Sequence, residues 1–133
     1  MAVGVAVLNS NDQHVFIYEI DRCSGSLAFR DSFSLVTQLW PGFGFSSNEK
    51  YLYTSSESRY LWQFDIEASD IGASRVLVGE YDGFVHGSNS PTTFGPIMQT
   101  PDGRLYVVPT TASNEYLHVI DRPDEPGTAC KLR

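Results

Sequence analysis

The residue types that could carry chemistry are few and scattered. His14, His86 and His118 fall in a turn, a polar loop and a strand-like run, and none has a second ligand at metal-site spacing. Cys23 and Cys130 lie far apart and form no CxxC pair, which supports neither a zinc site nor a redox motif. They could close one disulfide if the fold brings their Cα atoms within about 7 Å; two unrelated thiols are the alternative. GxSxG, HExxH, EF-hand and phosphate-cradling patterns are all missing, and so is an Asn-x-Ser/Thr acceptor. Gly42-Phe43-Gly44 runs on into Phe45, Ser46 and Ser47, so it fails as a dinucleotide fingerprint and fits a strand entry against a neighbour better. No catalytic, cofactor-binding or metal residue is assigned, and no cofactor is expected.

Carboxylates are plentiful, but three of them, Asp21, Asp65 and Asp121, each close a strand-like run. A short carboxylate there accepts backbone N–H bonds from the next turn, a folding role. Tyr51, Tyr53, Tyr60, Trp62 and Tyr106 could line a sugar- or peptide-binding surface, or could pack inside strands, which is the expected use. The net charge of −7 sets the chain against phosphate backbones, so nucleic acid is not an expected partner. A protein or glycan partner would be met by the longer polar connections, residues 67–74 and 86–93, because loops on a rigid scaffold carry variable recognition.

The elements that must position these residues are strands. Runs at 4–8, 15–21, 27–35, 43 onward, around 52–53, 60–66, 75–81, 97–99, 105–108 and 116–121 alternate with turn signals such as Asp82-Gly83 and Asp102-Gly103. Residues 67–73 could make one helical turn, too little to change the class. The chain is thus expected to be all-β. At 133 residues, 41% apolar and 13% aromatic, it has the length and composition of one packed domain. Residues 1–8 lack the basic start and long apolar run of a signal peptide, and no stretch approaches the roughly 20 apolar residues of a membrane span.

Two repeats organise the strands. Residues 43–56 (FGFSSNEKYLYTSS) return as 94–110 (FGPIMQTPDGRLYVVPT), and setting Leu52-Tyr53 on Leu105-Tyr106 lays the turn 47–50 over 100–103. Residues 16–21, 60–65 and 116–121 (FIYEID, YLWQFD and YLHVID) align without a gap. Strand alternation puts Phe16, Tyr18 and Ile20 on one face, as it does Tyr60, Trp62 and Phe64, and Tyr116, His118 and Ile120. A face repeated three times calls for a copy of itself to pack against. The closing aspartates are 44 and 56 residues apart, and the longer polar connections absorb the difference.

A unit of about 45 residues with four short antiparallel strands is a β-propeller blade. The expectation is one partial propeller domain over 1–133, about two and a half blades, with approximate bounds 1–39, 40–84 and 85–133. Its strands read second to fourth, then all four, then first to third. Propellers close with about four to eight blades, so the sequence is expected to be an excerpt of a longer chain carrying the remaining blades. Self-association is the alternative.

The turn 100–106 (TPDGRLY) resembles the turn-and-strand of YVTN-type and WD-repeat-like propellers. Together with DRCSG (21–25), 43–56, LWQFDIEASDIGAS (61–74) and YLHVIDRPDEPGTAC (116–130), it resembles the propeller region of large secreted surface proteins of gliding, Bacteroidetes-type bacteria. That resemblance implies an extracellular or cell-surface location, neighbouring immunoglobulin-like modules and export by type IX secretion, and it brings no catalytic residues with it. The expected role is non-catalytic binding or scaffolding. The runner-up is a YVTN-type lactonase-like hydrolase, which would need acidic or histidine residues converging at a propeller's central mouth.

Overall fold

A computed structural model describes residues 2–9, 12–36, 41–56, 58–111 and 113–133, with the side chains of 14–35 and of the described residues from 41 onward. The chain is all-β, and none of the described residues lies in an α-helix. Nor does a helix among them have the length and apolarity to cross a membrane. The strands are β1 (Ala2–Asn9), β2 (Asp12–Ile20), β3 (Leu27–Val36), β4 (Phe43–Phe45), β5 (Tyr51–Ser56), β6 (Tyr60–Asp65), β7 (Val76–Glu80), β8 (Val85–His86), β9 (Ser90–Pro91), β10 (Ile97–Gln99), β11 (Leu105–Val107) and β12 (His118–Ile120). They form antiparallel sheets in simple sequence order: β1-β2-β3, β4-β5-β6-β7 and β10-β11-β12, with β8-β9 a separate hairpin.

Tight polar turns join the strands, and the two aligned ones show how. Between β4 and β5 the Ser46 hydroxyl donates to Asn48 Oδ1 (2.7 Å), which also accepts the Lys50 amide (3.0 Å), while the Glu49 amide returns to the Ser46 carbonyl (2.9 Å). Between β10 and β11 the Thr100 hydroxyl meets Asp102, which accepts the Arg104 amide (3.1 Å), and the Gly103 amide returns to the Thr100 carbonyl (3.0 Å). Ser46 therefore corresponds to Thr100, and Glu49, with φ of 61°, to Gly103, with φ of 80°. The ungapped overlay of Ser47 on Thr100 is corrected by one residue. The first hairpin closes Ser46 on Tyr51 and the second Thr100 on Arg104, so the first turn is one residue longer.

The second sheet is covered on both faces. All six residues of β5 are buried. Leu52 and Phe64 join Val15, Ile17 and Leu35 of the first sheet in one apolar cluster, flanked by Phe33, Phe43, Phe45 and Trp62. Tyr51, Tyr53 and Leu61 join Ile97, Leu105, Val107 and Ile120 of the third sheet in another. Gly42 and Gly44 permit the second junction. A Cβ on Gly42 would stand 2.3 Å from the Gly95 carbonyl oxygen, and one on Gly44 2.6 Å from Ile97 Cγ2. That close approach to β10 is what the Gly-Phe-Gly run provides.

Two face assignments differ from the sequence pattern. On β2 the fully buried residues are Val15 and Ile17, while Phe16, Tyr18 and Ile20 are only half-buried. Tyr116 and Leu117 precede β12 rather than opening it, and both are exposed. The partner strands β3 and β7 each carry a bulge, opposite the Ile17–Tyr18 step of β2 and the Leu61–Trp62 step of β6. These are aligned positions. The extra residue (Arg30 in β3, Val78 in β7) interrupts the alternation of β3 and β7, while β2 keeps its own. Phe16, Tyr18 and Ile20 lie on one side, and it is the opposite side, with Val15 and Ile17, that packs against the second sheet. Trp40 falls outside the described residues.

Candidate functional site

Exposed aromatic side chains gather where two connections meet, 82–93 leading from β7 to β10 and 108–117 leading from β11 to β12. The sequence shows 86–93 as a loop without apolar residues, yet it folds as the hairpin β8-β9. Side-chain anchors hold it. Asn114 Nδ2 donates to the Ser90 and Pro91 carbonyls (3.3 and 3.2 Å), the Thr111 hydroxyl donates to the Pro91 carbonyl (3.1 Å), and His118 Nε2 lies 2.6 Å from the Thr92 carbonyl. The Tyr81 hydroxyl donates to the Phe84 carbonyl (2.8 Å), and the Phe84 amide donates to Asp82 (2.9 Å). Phe84 is thereby presented edge-on to Tyr116 at 5.4 Å, and His86 meets the same ring edge-on at 5.1 Å. Tyr116 remains 51% exposed and Phe84 47%. Aromatic edges and faces held by backbone anchors can stack on a ring or a sugar.

The pair that might suggest acid–base work does not form one. His86 Nε2 lies 3.8 Å from Glu115 Oε2, beyond hydrogen-bonding distance, and that carboxylate is exposed. His118 packs on Phe94 (4.7 Å between ring centres), and His14 lies in the first sheet with Ser34 as its partner. Among the described residues no three His, Cys, Asp or Glu side chains gather to hold a metal ion.

The remaining sequence candidates are not brought together. Tyr51 and Tyr53 are buried, Tyr60 and Trp62 stand side by side with Arg75 over the indole at 4.5 Å, and Tyr106 is half-buried in the third sheet. Residues 67–74 are a docked segment: Ile71 is buried in the core, its amide reaches Asp31 (3.4 Å), and Gly72–Ser74 form a short 3-10 turn. This segment follows β6, whereas 82–93 follows β7, which runs antiparallel to it; the two connections therefore sit at opposite ends of the sheet. Cys23 is exposed, Cys130 is buried against Tyr53, and the two are not joined.

Perturbed titrations trace to folding contacts. The carboxyl of Asp21 is held below its ordinary value by the Ser24 hydroxyl and the Cys23 amide, and that of Asp102 by Thr100 and the Arg104 amide. Asp65 likewise accepts the Glu67 amide (2.9 Å). Asp121 departs from the turn role: Arg133 Nε donates to it at 2.7 Å, with Arg104 Nε at 3.3 Å, and the Arg133 contact chiefly lowers its pKa. Burial pushes the Tyr53 phenol and the Cys130 thiol upward. Tyr53 belongs to a polar network that composition did not reveal. Its hydroxyl donates to the Pro123 carbonyl (2.8 Å) and accepts from Gln63 Nε2 (2.6 Å), and Gln63 also binds the Glu125 carbonyl and the Gly127 amide. The visible signal was Gln63 in an otherwise apolar strand.

Comparison with family models, curated proteins and solved structures finds no match for this chain. The aromatic cluster is therefore read on its own chemistry.

Proposed function

We propose that the chain is a non-catalytic binding or scaffold module built of β-propeller blades, belonging to an exported, cell-surface bacterial protein. Its ligand, a glycan or a peptide, is met at the Phe84–Tyr116 cluster. The observation that carries the reading is the stacking of sequential antiparallel sheets of three, four and three strands, the middle one packed through apolar clusters on both faces. Support comes also from the bulges of β3 and β7, which lie opposite aligned positions of β2 and β6, and from the paired Ser-x-Asn and Thr-x-Asp turns. Flat sheets that bury both faces need neighbours of their own kind, which is how blades are stabilised. The cell-surface location rests on the family resemblance alone.

The mechanism is presentation. The sheets fix the ends of two connections, and side-chain-to-backbone bonds from Asn114, Thr111 and His118 hold Phe84, His86 and Tyr116 in place. Glycan and peptide arrays probed with the protein test this. Retention of one class, abolished in the Phe84→Ala/Tyr116→Ala variant with an unchanged far-UV spectrum, is expected. Equal retention by the variant would remove the site. Turnover of a lactone panel, lost on changing a single carboxylate, would replace binding with hydrolysis.

A further inference from the structure

The two outer sheet faces have counterparts inside the molecule, and this identifies what covers them. Alignment sets Ile17 with Leu61 and Leu117, Tyr18 with Trp62 and His118, and Ile20 with Phe64 and Ile120. At both internal junctions the sheets meet the same way round. Ile17 of the first sheet faces the second, and Leu61 of the second faces the third. Phe64 of the second sheet faces back to the first, and Ile120 of the third faces back to the second. Like never meets like. The third sheet then carries, on its other side, exposed Met98 and half-buried Tyr106 in a row with buried Val119, and exposed Leu117 just before β12. The first presents Phe16, Tyr18 and Ile20, with Leu27 and Phe29 paired to them across β3.

These faces are apolar where they are exposed. Leu27 is 61% exposed, Phe29 59%, Met98 56% and Leu117 53%. The charges beside the third sheet's face already neutralise one another, Arg104 and Arg133 being paired with Asp102 and Asp121. Covering that face therefore strands no single charge. Tyr106 stands where Tyr53 stands in the second sheet, and Tyr53 is capped by the following sheet's segment through the Pro123 carbonyl.

We propose that these two faces are the halves of one interface, and that a second copy of this chain fills each of them, head to tail. The inference rests on the propeller reading. Two copies of the three larger sheets among the described residues make a ring of six, within the roughly four to eight blades at which such rings close. A heterologous contact that closes in this way leaves no free face.

Light scattering and sedimentation of the 133-residue chain test it. The expected species has twice the 14.8 kDa chain mass and dissociates on dilution. Phe29→Glu and Leu117→Glu each break one half of every junction, so each alone is expected to be a monomer with an unchanged far-UV spectrum. Mixed, they leave one intact junction, between the third-sheet face of the first variant and the first-sheet face of the second. Cross-linking of a tagged to an untagged variant should therefore return only in the mixture. A monomeric wild type, a dimer indifferent to both substitutions, loss in only one variant, or no recovery on mixing overturns the proposal. A monomer that still binds through Phe84 and Tyr116 would sink this inference and leave the proposed function standing.

Discussion

Tyr53 and Tyr106 occupy the same place in two sheets of the same construction, and they live in different surroundings. Tyr53 is fully buried, donates to the Pro123 carbonyl at 2.8 Å and accepts from Gln63. Tyr106 is half-buried, and its hydroxyl reaches only Asp102 at 3.5 Å. Leu61 and Leu117 repeat the contrast, one fully buried and the other half exposed. The strands and their turns are alike, so the difference comes from the neighbour. The second sheet has one on each side and the third on one side only. A residue's energetic weight here is set by the stacking of sheets rather than by its own strand.

The largest test of that comparison is truncation of the paired leucines. Leu61→Ala should cost about 2–5 kcal/mol in urea unfolding, as a cavity in a packed core does. Leu117→Ala, measured at dilution, should stay within about 0.5 kcal/mol, as surface changes do. Equal costs would break the comparison. Gly44→Ala comes next, because its Cβ would stand 2.6 Å from Ile97 Cγ2. Forcing β4 and β10 apart should cost about 1–3 kcal/mol, read as a lower urea midpoint at unchanged slope; an unchanged midpoint would mean that the junction yields freely. Smaller still, Tyr53→Phe should cost roughly 1 kcal/mol for a lost buried hydrogen bond, against almost nothing for Tyr106→Phe.

The smallest effect concerns pH. The pKa of Asp121 lies below its ordinary value of 3.8, chiefly through Arg133. A lowered folded value means that its contribution is present above the unfolded pKa and is lost as pH falls through the folded one. Wild type and Asp121→Asn should therefore differ slightly at neutral pH and converge as the carboxylate protonates below about pH 4. Salt should shrink the gap, as expected for an exposed pair. A difference that persists in acid would assign it to packing instead.

Much of the fold was legible because strands and turns are local. The Asp-Gly and Ser-Asn signals ended runs where the hydrogen bonds end them, and the repeated FIYEID, YLWQFD and YLHVID strings marked comparable strands. What the pattern did not reveal was which face is buried: alternation holds along β2, but the side carrying Val15 and Ile17 packs inward and the side carrying Phe16, Tyr18 and Ile20 does not. The aromatic cluster was half visible: 86–93 stood out as a polar connection and Tyr116 as the opening of a strand-like run, while Phe84 fell between the runs. The anchoring of the β8-β9 hairpin by Asn114, Thr111 and His118 brings them together. Residues 67–74 looked equally free, yet buried Ile71 anchors the segment to the core.

The sequence by itself determined the all-β class, the strand order and the turns, since each depends on residues within a few positions of one another. Which face of each strand is buried, which tyrosine is capped and which aromatic side chains meet were decided only when sheets stacked, because burial belongs to the pair of surfaces and is not a property of either strand alone.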